Sequence, residues 1–135
     1  MYVRILLFAL LTSCLGAISH AQENRREEMM NDINAAIKKG SAREMSKYFG
    51  PNADLSLPRA EGTFSKSQSE IILRDFFNRN PPLHFSVVYQ GASRDGSFYV
   101  IGLLETRDEQ LFRAYYLIKS ISGSYFLHHV QFDRR

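Results

Sequence analysis

The sequence predicts an α+β domain, with helices gathered in its first half and a mainly antiparallel sheet in its second. Two observations predict it. In three stretches before residue 80, around Met30 to Ile37, Met45 to Phe49 and Ile72 to Phe77, apolar side chains recur at spacings of three and four, the period of one helix face. From Leu83 onward the period changes to two, and consecutive alternating stretches are joined by short polar links, the mark of an antiparallel meander. The stretch Phe98 to Ile121 is the centre of that meander. Its two long apolar runs flank the polar tetrapeptide Arg107-Asp108-Glu109-Gln110 and read as a hairpin.

Residues 1–21 read as a leader. Arg4 supplies a positive start, Ile5 to Ile18 is mostly apolar, and Ser19-His20-Ala21 sets small residues where a signal peptidase reads them. The expectation is export to the periplasm, with 22–135 as one domain. The apolar run is too short and too interrupted for a membrane span, which takes about 20 apolar residues. Leu11-Thr12-Ser13-Cys14 resembles a lipobox and gives the alternative of a lipoprotein anchored at Cys14. Cys14 is the one cysteine of the chain, so the mature domain has no thiol for disulfides, nucleophilic chemistry or Cys-based metal sites. An export signal without cysteines suits a bacterial periplasmic protein better than a small secreted animal domain.

The first helix is expected over Gln22 to Lys39. Met30, Ile33 and Ile37 share a face with Ala36, Glu27 and Glu28 lie early, Lys38 and Lys39 lie late, and Gly40 stops it. A core-facing stripe is the common meaning of such a face, ahead of a partner-binding one. Ser41-Ala42-Arg43-Glu44 has the form of a capping box and opens a short second helix with Met45, Tyr48 and Phe49 on one face, ended by Gly50-Pro51. Ala53 to Pro58 alternates Leu55 and Leu57 with polar residues, a short strand, and Gly62-Thr63-Phe64 reads as a second one returning. Two overlapping capping boxes, from Ser65 and from Ser67, offer alternative starts for a third helix with Ile72, Leu73, Phe76 and Phe77 as its apolar surface. Asn80-Pro81-Pro82 stops it.

The four strands of the meander are expected at His84–Gln90, Phe98–Thr106, Leu111–Ile121 and Tyr125–Asp133. A four-residue tip at 107–110 sets Thr106 opposite Leu111. Tyr99, Ile101, Leu103 and Glu105 then share the helix-covered face with Phe112, Ala114, Tyr116 and Ile118, and a three-residue link at 122–124 adds Phe126, His128, Val130 and Phe132. A one-residue error in either link exchanges the faces of the strand concerned. Both faces are richer in apolar groups than a solvated sheet face should be. The outer one is therefore a candidate homodimer surface.

The order helix, helix, strand pair, helix, four-strand meander resembles the nuclear-transport-factor-2-like superfamily, also described as a cystatin-like roll. The stretches Ala53 to Pro58, Tyr89 to Ser93, Tyr99 to Gly102, Tyr115 to Lys119 and Tyr125 to Leu127 are similar to an exported bacterial domain family of unknown function within it. The resemblance implies three helices packed on a strongly curved sheet, a conical cavity between them, and an exported compartment. It implies no catalytic residue.

Candidate chemistry is sparse. Glu105, in the expected register, faces the helices among apolar neighbours, where a carboxyl can act as general acid or base. The plainer role is a hairpin-end acid that reaches water. His128, near Tyr116 by the expected pairing, completes a His–Tyr–Glu group suited to proton transfer, as in an isomerase or dehydratase. A core histidine with one hydrogen bond is the commoner case. Tyr89, Tyr99, Tyr116 and His128 are the candidate ligand contacts, and they are equally good core aromatics. Asp54 holds a turn or lines a cavity mouth. His129 points away from His128, His84 stands alone, and no His-x-His spacing occurs, so neither metal nor cofactor is expected. Formal charge is +3, one less without Arg4, with no basic stripe for nucleic acid. There is no phosphate loop and no nucleophile elbow. The expectation is a non-enzymatic binding domain for a small apolar ligand or an envelope protein. The alternatives are a proton-transfer enzyme using Glu105 and His128, and a structural subunit of an envelope assembly.

Overall fold

The structure, a computed structural model, describes residues 2–135, with side chains from His20 onward. The lipobox with Cys14 and the apolar run of the leader lie outside the residues described at side-chain level. The chain divides into two compact units, one ending at Asp32 and one running Ile33–Arg135. The first is the N-terminal part of helix α1, Tyr2–Lys39. Among the described residues no helix is long and apolar enough to cross a membrane.

The second unit carries the fold. The end of α1 contributes Ile33, Ala36 and Ile37, all at most 1% exposed, on the face that their spacing predicts. Helix α2 is Ala42–Ser46, capped by Ser41, whose hydroxyl accepts the Glu44 amide at 3.2 Å. It is shorter than expected: Tyr48 follows it, and Phe49 opens strand β1, Phe49–Leu57. Strand β2 is Ala60–Ser65 and helix α3 is Lys66–Arg79. Of the two rival caps for α3, Ser65 is the one used, with both halves of its box to Gln68 formed. Leu73, Phe76 and Phe77 are the buried face of α3. Four strands follow, β3 Pro82–Ala92, β4 Phe98–Thr106, β5 Leu111–Ile121 and β6 Ser124–Arg134.

All six strands form one sheet in the order β2-β1-β6-β5-β4-β3. The meander β3 to β6 is antiparallel throughout, and β1 joins β6 in parallel. The covered face carries Phe98, Val100 and Leu104 of β4, Phe112, Ala114, Tyr116 and Ile118 of β5, and Leu127, Val130 and Phe132 of β6. Phe76 of α3 stacks on Phe132 at 4.7 Å and meets Phe112 edge-on at 5.2 Å, so aromatic rings fill the space between helix and sheet. Gly102 lies on this face because Phe85 crosses it: a Cβ there would stand 2.5 Å from the Phe85 ring.

Two links differ from expectation by one residue each. At the β4–β5 tip Glu105 pairs with Leu111, and Leu104 with Phe112. The tip is a three-residue loop at 107–109, closed by the Thr106 amide donating to the Gln110 carbonyl at 2.9 Å, with Glu109 left-handed at φ 65°. This is the three-residue hairpin loop in which a left-handed residue follows a turn. Its effect is to invert β4: Tyr99, Ile101, Leu103 and Glu105 lie on the outer face.

At the β5–β6 end the turn is the pair Ser122-Gly123, both at positive φ, with Ile121 opposite Ser124. A β-bulge then absorbs one residue. Ile118 pairs with Leu127 but Leu117 pairs with His129, leaving His128 as the extra residue. Beyond the bulge the expected register returns, so Val130 and Phe132 face inward as predicted, whereas Phe126 and His128 do not.

Candidate functional site

The expected acid–base group does not assemble. Glu105 is exposed at one end of the outer face, across from His84 on β3. His128 sits near the other end of the sheet, pushed out by the bulge, and its Nε2 lies 3.4 Å from Asp54 Oδ2. Asp54 in turn accepts the Thr63 hydroxyl at 2.6 Å. Burial is the first cause that lowers the His128 pKa, the Lys119 charge adds to it, and Asp54 opposes both. Tyr116 lies on the inner face at 1% exposure and donates to Asn34 Oδ1 at 2.8 Å. Burial holds its phenol far above the ordinary value, so it serves as a donor and not as a base. Among the described residues no three His, Cys, Asp or Glu side chains are placed to hold a metal ion.

Tyr89 and Tyr99 are also outer-face residues. Their rings lie 6.0 Å apart, Tyr99 lies 6.3 Å from Tyr115, and Tyr115 meets His129 edge-on at 5.4 Å. The four rings make a diagonal row across β3, β4, β5 and β6. The inversion of β4 is what brings Tyr99 into it.

A concave feature of the second unit lies elsewhere. A cleft of about 820 Å³ opens between α3, the β1–β2 turn, the β4–β5 tip and the end of β6. Leu57, Ile72 and Phe76 give it an apolar floor, and Ile71, 60% exposed, extends that surface at the rim. Arg59, Arg79 and Arg134 stand around it with Asp75 and Asp108. The parallel pairing of β1 with β6, Ser56 opposite Gln131, carries Arg59 and Arg134 to the same end of the sheet. None of Tyr89, Tyr99, Tyr116 and His128 lines this cleft. Its residues come from separated elements, so no spacing in the sequence announces them. The one available signal is that Arg79 and Arg134 fall at the ends of elements and Arg59 in the link between two.

This arrangement, helices on one face of a curved sheet with an opening at the rim, defines an α+β domain of the nuclear-transport-factor-2-like fold class. A structure of that class from Silicibacter pomeroyi, described as a nuclear-transport-factor-2-like protein of unknown function, matches at TM-score 0.60 and 9% identity, over 87% of this chain and 98% of that one. Within the class, the chain belongs to the domain of unknown function family DUF4783, matched over residues 30–133. It is similar to DUF4783 proteins of known structure from Bacteroides ovatus (29% identity, TM-score 0.71, 77% of this chain and 93% of that one) and Bacteroides uniformis (28%, 0.71, 78% and 95%). No curated protein matches the chain.

Proposed function

We propose that this is a non-enzymatic binding domain, exported to the periplasm, which holds a small apolar ligand in the cleft between α3 and the sheet rim. The cleft itself carries the reading. Its volume of about 820 Å³ lies in the range of small-molecule sites, roughly 300–1,000 Å³. Leu57, Ile72 and Phe76 supply an apolar part of an otherwise polar lining, and the exposed Ile71 adjoins them. Export, with residues 1–21 removed and 22–135 as the domain, rests on the leader pattern of Arg4, the apolar run and Ser19-His20-Ala21. The test is calorimetric titration with 1-decanol. Saturable one-to-one binding is expected, and Ile72→Trp, which fills the floor, should abolish it while leaving the circular dichroism spectrum unchanged. Absence of binding to the parent protein would retire the cleft as a ligand site.

A second reading concerns the outer face, on which the domain pairs with another copy of itself. What favours it is the tyrosine row, which reaches the β3 edge at Tyr89, 59% exposed, next to Val88, 68% exposed. Partly exposed aromatic groups of this kind are enriched where protein surfaces meet.

A further inference from the structure

We infer that the cleft selects amphiphiles with an anionic oxygen head group, a carboxylate or phosphate monoester on an aliphatic body; this rests on the cleft being a ligand site. The argument starts from its charges. Five ionised side chains line it, three guanidiniums and two carboxylates. Asp75 is already engaged, its two oxygens accepting the Arg79 Nε–H at 3.1 Å each. Asp108 accepts the Thr106 hydroxyl within the β4–β5 tip.

Arg59 and Arg134 have no carboxylate partner among the described residues. Arg134 lies over the Phe112 ring, 5.7 Å from its centroid, a contact that steadies the guanidinium and consumes none of its N–H donors. Arg59 sits in the tight β1–β2 turn at the same end of the sheet. Three guanidiniums against two carboxylates leave the lining one net positive charge, and Arg59 and Arg134 are the two cations not spent on an ion pair, so the potential there favours an anionic head group. The guanidinium fork matches a carboxylate or phosphate with paired hydrogen bonds, a geometry a neutral hydroxyl does not reproduce. The apolar floor of Leu57, Ile72 and Phe76 then takes the aliphatic part.

Four ligands with one chain length test this by calorimetry below their micelle concentrations: decanoate, decyl phosphate, 1-decanol and decyltrimethylammonium. At least one anion is expected to bind about tenfold or more tightly than decanol, as suits a hydrogen bond to a charged group, and the cation weakest of all. The tighter of the two anions identifies the head group. Arg59→Gln and Arg134→Gln should each remove about tenfold of the anion affinity and leave decanol affinity unchanged. Both side chains are exposed, so the variants should keep the parent melting temperature, and the decanol arm reports an intact cleft. Equal binding of decanol and both anions would overturn the selectivity and leave the cleft as a ligand site. Anion preference that survives in both variants would also overturn it. Failure of all four ligands would remove the binding site together with its selectivity.

Discussion

Tyr116 shows how much one atom contributes in this core. Its hydroxyl bonds Asn34 Oδ1 at 2.8 Å from a nearly inaccessible position on β5. Tyr116→Phe deletes the donor and leaves the Asn34 acceptor short of a partner, which should cost about 1–2 kcal/mol. Tyr115→Phe, on the half-exposed outer face one residue away, should stay within about 0.5 kcal/mol. Urea denaturation of both variants checks the contrast, and equal effects would mean that the buried bond contributes nothing net. Tyr116 was expected on the inner face and is there. Its neighbours in the expected acid–base group are not, because Glu105 and His128 each lie on a strand that a one-residue difference moved.

At the scale of elements, the caps were legible because their chemistry is local, whereas the stop expected at Gly50-Pro51 lies inside β1 and α2 ends at Ser46. Gly40 ends α1 at φ 68°, Ser41 caps α2 and Ser65 caps α3, each through bonds within four residues. The strands were legible from their period. Their register was not, since it depends on which tip residue turns left-handed. At the β4–β5 tip that residue is Glu109, where a glycine or asparagine would have flagged the position. The bulge at His128 has no marker of its own either. It compensates for a two-residue turn at 122–123 where three residues were expected, which is why the inner residues of β6 beyond it were read correctly. Gly102 offers the element-scale test. Its pro-Cβ position is 2.5 Å from Phe85 and 2.8 Å from the Ser86 carbonyl, so Gly102→Ala must part β3 from β4. Overpacking of this kind should destabilise the domain by about 1–3 kcal/mol. A melting temperature equal to the parent's would show that the crossing of Phe85 over Gly102 is loose.

At the scale of the whole molecule, the cleft was the least legible part. The lining residues Leu57, Phe76 and Arg134 meet only after β1 has joined β6 in parallel, a pairing between the first and last strands. Pattern reading finds faces of single elements, and this opening belongs to none of them. The outer face was legible as unusually apolar, with the composition of β4 corrected by the inversion. If that face joins two copies, sedimentation equilibrium should show the mass rising from one chain toward two with concentration, and Tyr89→Lys should return it to one. A parent protein that stays monomeric at high micromolar concentration would end that reading. The edge of the sheet bears on the same question. Strand β3 is eleven residues long and lies outermost, yet its pairing shifts between Val87 and Tyr89 at the projecting Val88. An added strand needs an unbroken ruler of amides and carbonyls, and here the ruler is interrupted midway. The irregularity discourages runaway polymerisation along the sheet, and it directs any lasting association toward broad surfaces or the opening at the rim.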